Sequence, residues 1–157
     1  SLKGKISIDI LGPSDNPAYL NKIEKSLSTI KSSLNARYLG PIPHDELQLR
    51  LAKYHFLILP TKNENFGHVI IEAWAAGLPV IISDQTPWRS LEDRMLGWDI
   101  SLNDQDRWLK ILQECVDMNS IQYEQLSVNC RDFSINMSKC DLASQYSSFF
   151  HEVISHY

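Results

Sequence analysis

Two glutamates stand where carboxylates could serve a ligand. Glu64 lies in a polar stretch that ends at Gly67, and Glu72 is the only acid among His68, Val69, Ile70, Ile71, Ala73, Trp74, Ala75 and Ala76. A charge on a helix packed against a sheet is costly unless it is paired or faces a cleft. Seven residues separate the two glutamates. Eight positions make about two helical turns, so both carboxylates can point roughly the same way. Ionised carboxylates there would accept strong, charge-assisted hydrogen bonds from donors such as hydroxyls. A structural alternative stands beside this: Glu64 favours the positive amino end of a helix by its charge, and Glu72 occupies a solvated stripe. The same amino end offers unpaired N–H groups to an anion, and Gly67, lacking a side chain, lets a ligand approach the backbone.

The elements that must hold these residues read as strand, loop, helix and strand. Phe56–Leu59 is a short apolar run closed by Pro60, which cannot donate to a sheet ladder. Residues 61–67 have loop composition. His68–Gly77 predicts a helix of about ten residues that stops at Gly77. Pro79 then opens Val80–Ile82, a run without polar alternation, as in a strand buried on both faces. Such a βαβ unit is right-handed with parallel strands, and ligands of such sheets bind outside the carboxyl ends of the strands, where residues 60–67 must lie.

Upstream, Ile6–Leu11 alternates as a strand closed by Gly12-Pro13. Asn16 and Pro17 start a helix whose apolar stripe is Leu20, Ile23, Leu27, Ile30 and Leu34. Ala36–Leu39 predicts a short strand, Gly40-Pro41-Ile42-Pro43 a rigid turn, and His44–Lys53 a helix with Leu47 and Leu51 inward. Downstream, a short helix is expected around Ser90–Arg94 and a strand at Trp98–Leu102. Asn103 should cap a helix with Trp108, Leu109, Ile111, Leu112, Cys115 and Val116 on its apolar face. Ser120–Asp132 predicts another helix, and a last one begins at Ser138, with Leu142, Tyr146, Phe149, Phe150, Val153 and Ile154 at core spacing. The fold class is therefore α/β, a Rossmann-like parallel sheet of about five strands flanked by helices.

With 157 residues, the chain is one domain's worth, enough for a single core. A net charge of −4 without a Lys/Arg cluster argues against nucleic acid as a partner. Cys115, Cys130 and Cys140 are odd in number and far apart, which suits reduced thiols of a cytoplasmic protein. No apolar run approaches the ~18 residues of a membrane span and no signal peptide opens the chain. Membrane contact is expected to be peripheral if there is any.

The stretch from Pro60 to Asp84 closely resembles the signature of family 4 (group 1) retaining glycosyltransferases of the GT-B fold. The matching positions are Pro60, Glu64, Phe66, Gly67, Glu72, Ala73, Ala75, Gly77, Pro79, Val80, Ser83 and Asp84. The resemblance implies the carboxy-terminal, donor-binding half of a GT-B enzyme. That half would transfer a sugar from a nucleotide-diphosphate sugar to a glycan or lipid-linked glycan, retaining configuration and using no metal or other cofactor. By resemblance, Phe66, Gly67, His68 and Val69 would contact sugar and phosphate, Glu72 the ribose hydroxyls, and Glu64 the donor sugar as the catalytic carboxylate. Pro41 and Ile42 would meet the nucleotide base, and Lys62 would add positive potential near the phosphates. His68 and Lys62 also read as an ordinary helix-start histidine and an exposed loop lysine, and Pro41-Ile42 as a plain tight connection.

Where the family often carries a glycine pair, this chain has Trp88 and Arg89; the arginine could meet a phosphate or the family's other domain, or pair with Glu92. The family's first βα unit, with its basic diphosphate grip, and its acceptor domain have no counterpart in residues 1–157. Alone, these residues are expected to transfer no sugar and to bind a donor weakly. The complete protein would then act in the cytoplasm, at most peripherally at the inner membrane face. Other readings are a non-catalytic nucleotide-binding or interaction module supplying half of a two-chain enzyme, and a nucleotide-sugar epimerase of the same fold.

Overall fold

Apolar strands alternate with amphipathic helices in the computed structural model, which describes residues 2–13, 16–28 and 34–139. In chain order the elements are β1 (Ile6–Leu11), α1 (Pro17–Ser28), β2 (Leu34–Gly40), α2 (His44–Leu51), β3 (Leu57–Leu59), α3 (His68–Ala75), β4 (Val80–Ser83), β5 (Gly97–Ile100), α4 (Gln105–Asp117) and α5 (Ser120–Lys139). The five expected parallel strands are all present, and they hydrogen-bond in two groups, β1–β2 and β3–β4–β5. In the first group Ile6 faces Leu34 and Ile10 faces Tyr38. In the second, Leu57 faces Val80 and Val80 faces Gly97.

β4 is buried along its whole length because helices cover both its faces. One face carries Leu51, Ile70, Ala73, Trp74, Leu78, Val80, Ile82, Leu91, Leu96 and Cys130, joining α2, α3 and α5. Trp74 anchors that layer. It is fully buried, packs edge-on against Trp88 at 4.9 Å and Phe133 at 5.1 Å, and donates its indole N–H to Leu96 O at 3.0 Å. The opposite face joins Ile81, Trp98 and Ile100 to Ile111 of α4.

Asp9 of β1 ties the two-stranded group to the chain leaving α2. Its carboxylate accepts from Tyr54 OH at 2.7 Å and from both Nε and Nη2 of Arg37 at 3.0 Å. The Tyr54 hydrogen bond holds Asp9 below the usual carboxylate range against the opposing effect of burial, with help from Arg37. Burial, then the bond to Asp9, pushes the Tyr54 hydroxyl up.

Several boundaries differ from the sequence reading. Leu34, placed on the α1 stripe, belongs to β2, where it pairs with Ile6; Ile30 lies outside the described residues. No helix forms at Ser90–Arg94. Ser90 (φ 53) and Met95 (φ 54) are left-handed, and residues between them make turns closed by Met95 N–H to Glu92 O and Leu96 N–H to Leu91 O. Asp99 helps to fix that segment by accepting from Leu91 N–H at 2.9 Å. The cap of α4 is Asp104 rather than Asn103, and its carboxylate accepts from Arg107 N–H at 2.9 Å. Ser138 falls inside α5, which runs unbroken from Ser120 to Lys139. The expected core positions beyond it, from Leu142 to Ile154, lie outside the described residues.

Candidate functional site at the amino end of α3

The loop from Pro60 to Gly67 leaves the carboxyl end of β3 and is pinned by the segment that follows β4. Ser83 Oγ, buried at the end of β4, donates to Thr61 O at 2.5 Å. Thr61 Oγ1 donates to Asn63 O at 2.8 Å, which tightens the first turn of the loop. Glu64 N–H donates to Gln85 O at 3.1 Å, and the Trp88 indole donates to Phe66 O at 2.8 Å. Ser83, Gln85 and Trp88 thus hold three successive points of the loop. Sequence reasoning gave Trp88 no such role; its only signal was the departure from the family's glycine pair.

Gly67 turns the loop into α3. Its backbone is left-handed (φ 75, ψ 55), and a Cβ there would lie 2.7 Å from Ile70 Cδ1 and 3.4 Å from Glu64 Cγ. A side chain is therefore disfavoured by the backbone conformation and would also require the end of the Ile70 side chain to shift. Gly67 O accepts from Ile70 N–H at 2.8 Å, and Gly67 N–H donates to Glu64 Oε1 at 3.0 Å. No side chain caps the helix. The N–H groups of His68 and Val69 consequently have no hydrogen-bond partner among the described residues. Two free donors at the positive end of a helix form an anion-binding arrangement.

The two glutamates are placed differently from the helical count. α3 begins at His68, so Glu64 precedes the helix and the two-turn spacing does not relate its direction to that of Glu72. The hydrogen bond to Gly67 N–H fixes Glu64 instead, leaving Oε2 without a partner among the described residues. Glu72 sits in the second turn with its side chain one-fifth exposed, and Oε1 lies 3.5 Å from His44 Nδ1. His44 is the first residue of α2 and follows the turn containing Pro41 and Ile42. That contact brings the turn beside Glu72, a juxtaposition that only the resemblance suggested, by assigning the turn to the base and Glu72 to the ribose of one nucleotide.

The remaining candidates sort plainly. His68 is exposed, its ring 4.9 Å from that of Phe66, and Val69 is half-buried. Lys62 is exposed in the loop and makes no ion pair among the described residues. Arg89 does not meet Glu92, which pairs with Arg107 at 2.6 Å. Its guanidinium donates to Asp84 O at 2.7 Å, to Trp88 O at 2.8 Å and to Thr86 O, so it braces its own loop. Among the described residues no cluster of three His, Cys, Asp or Glu side chains could hold a metal, and no helix is long and apolar enough to cross a membrane.

Parallel strands, covering helices and a loop–helix junction at the strands' carboxyl ends define a Rossmann-like α/β domain, and the fold of the solved structures it overlays makes it one half of a GT-B architecture. Solved structures agree. The chain overlays WaaG, described as a glycosyltransferase involved in lipopolysaccharide biosynthesis, with a TM-score of 0.63 over 80% of its length and 33% of WaaG, at 21% identity. It overlays a chain of the GtfA/B complex with a TM-score of 0.64 over 94% of its length and 29% of that chain, at 18% identity. The sequence profile of the glycosyl transferases group 1 family matches residues 1–128, and the chain belongs to that family.

Among curated relatives it is 26% identical over 149 residues to an uncharacterized 41.2 kDa protein in the cps region of Klebsiella pneumoniae, covering 93% of this chain and 38% of the relative. It is 33% identical over 73 residues to a D-inositol 3-phosphate glycosyltransferase of Jonesia denitrificans, covering 46% of this chain and 17% of the relative. The chain thus spans well under half the length of the relatives it matches.

Proposed function

We propose that residues 1–157 form the donor-binding half of a retaining glycosyltransferase, without the first βα unit and the acceptor domain. The complete protein transfers a sugar from a nucleotide-diphosphate sugar to a glycan or lipid-linked glycan. The observation that carries this reading is the pair of free N–H donors at His68 and Val69, set behind left-handed Gly67 in a chain of this family. A diphosphate oxygen docks on those donors, with the backbone of Phe66 and Gly67 beside the sugar. Glu72 accepts from the ribose hydroxyls, displacing the weak contact with His44, and the turn at Pro41 and Ile42 lies along the base. Lys62 adds positive potential at the open side of the loop.

Glu64 has two tasks in this scheme. Oε1 holds Gly67 N–H and so fixes the junction. Oε2 faces the donor sugar and stabilises positive charge as the bond from the anomeric carbon to the leaving diphosphate breaks. No metal or other cofactor takes part. The likeness to WaaG, a glycosyltransferase involved in lipopolysaccharide biosynthesis, and to a protein in the cps region of Klebsiella supports a place in polysaccharide biosynthesis. The site of action is the cytoplasm, with peripheral contact at the inner face of the membrane where the acceptor is lipid-linked.

The test uses the complete protein with a panel of UDP-, GDP- and ADP-sugars. Glu72→Gln removes a charge-assisted contact present in ground and transition states alike, so it raises the donor KM more than it lowers kcat. NMR of the product's anomeric proton reports retention. Unchanged kinetics in both Glu72→Gln and Glu64→Gln would return the pair to a structural role.

A further inference from the structure

The carboxylate of Glu72 already has a claimant within the chain. His44 opens α2, the helix packed against α3, and its Nδ1 lies 3.5 Å from Glu72 Oε1. At that distance a neutral imidazole is held weakly, whereas a charged one forms an ion pair. The His44 side chain is 86% exposed, so it exchanges protons freely with solvent. Glu72 is mostly covered, and ribose hydroxyls that use its Oε1 must replace His44.

We propose that His44 is a proton-controlled competitor of the donor for Glu72, an inference that rests on the assignment of Glu72 to the ribose hydroxyls. Histidine changes charge between about pH 5 and 8. When the imidazole is charged, a nucleotide-sugar must break the pair with Glu72 before the ribose can bind. When it is neutral, His44 yields at little cost. Donor binding therefore releases protons, and the donor KM rises as pH falls through that range. The chemical step is untouched, because His44 meets no reacting atom once the ribose has taken its place.

The other charged groups nearby are few. Asp45 and Glu46 follow His44 in the first turn of α2, and Arg50 lies in its last turn. On α3, His68 stands one turn before Glu72, and Lys62 and Glu64 lie in the loop before that helix. The turn from Gly40 to Pro43 carries no charge. Among the described residues His44 reaches ion-pair distance only with Glu72. A charged His68 would act with the opposite sign, drawing phosphate to the amino end of α3 and lowering KM in acid. Its effect is common to variants with and without His44, so the difference between them isolates the pair.

The test measures donor KM and kcat of the complete protein at about pH 6 and pH 8.5, with whichever UDP-, GDP- or ADP-sugar it turns over. Between these two conditions the KM of the wild type should rise in acid by about two- to fivefold more than that of His44→Gln, the range of an exposed ion pair, with kcat alike in both. His44→Lys, charged at both pH values, should show the raised KM at both. In a Glu72→Gln background, His44→Gln should change nothing, because the partner carboxylate is gone. If Glu72→Gln raises KM while His44→Gln leaves the pH profile of KM as in the wild type, the competitor role is wrong and the ribose assignment stands. An effect of His44→Gln that persists in the Glu72→Gln background, or that falls on kcat, also overturns it. A KM indifferent to Glu72→Gln removes the ribose assignment and this inference together.

Discussion

Replacing Gly97 by alanine should be the most damaging single-methyl change in the sheet, and Gly12 provides its internal control. Both residues have nearly the same positive φ, 137 and 135. At Gly12 an added Cβ meets nothing within 4 Å, whereas at Gly97 it would lie 1.9 Å from Val80 O, 2.6 Å from Val80 N and 2.8 Å from Val80 C. Those atoms are backbone of the fully buried β4 and cannot rotate away. The conformational cost of a side chain at such φ is of order 1–3 kcal/mol and applies to both variants.

Only Gly97→Ala adds the steric term. To restore ordinary contact, β5 must withdraw from β4 by more than an ångström, stretching the bond from Val80 N–H to Leu96 O at 3.2 Å and the ladder beside it. Overpacking of a tight interior costs about 1–3 kcal/mol and a weakened ladder bond about 1 kcal/mol more. Gly97→Ala should therefore be less stable than Gly12→Ala by about 2–4 kcal/mol, a large part of a typical stability of 5–15 kcal/mol. Urea titration followed by tryptophan fluorescence measures the difference directly, because Trp98 neighbours the site and Trp74 lies in the core. Equal midpoints and slopes for the two variants would refute the clash as the source of the effect.

The loop makes its own predictions. Glu64→Gln keeps an acceptor for Gly67 N–H, so thermal stability should hold while kcat of the complete protein falls by about 10²-fold; Glu64→Ala should lower stability as well, by roughly 1.5–3 kcal/mol. Trp88→Phe removes the donor to Phe66 O and should cost about 0.5–1.5 kcal/mol in chemical unfolding, with a higher donor KM as the loop loosens. Burial pushes the thiols of Cys115 and Cys130 from 9.0 to about 12. A raised folded pKa means that the unfolded chain loses its protons first, so stability is intact below about pH 9 and declines as pH rises towards 12. Cys115→Ser with Cys130→Ser should flatten that decline in pH-dependent unfolding. Asp9 has the opposite sign: its folded pKa lies below 3.8. Its contribution is present above that value and fades as pH falls through the folded pKa, an effect Asp9→Asn should remove.

Much of the site was readable because its determinants are local. Pro60, Gly67, Gly77 and Pro79 punctuate the βαβ unit, and α3 closes as the glycine implied: Gly77 N–H donates to Trp74 O at 2.9 Å and Leu78 N–H to Ala73 O at 2.8 Å. The unalternating Val80–Ile82 run announced burial on both faces. Where local signals compete, the reading slipped. Leu34 continued the helical period of α1 but pairs with Ile6 in β2. Ser90–Arg94 has helical composition, yet Leu91 is drawn into the core and the residues around it turn to follow.

The sequence by itself therefore determined the α/β class, the parallel run of the strands, the family and the stretch that carries the family motif. Each of these rests on periodicity, turn residues or motif spacing within a few tens of residues. Only the tertiary structure decided that Glu64 holds Gly67 N–H, that His44 stands by Glu72, that Arg89 braces its own loop and that the described strands hydrogen-bond in two groups. Those outcomes depend on which of several polar partners comes within about 3 Å, and on which strand edge finds a neighbour. Contacts between distant segments are chosen by packing, which no one-dimensional spacing records.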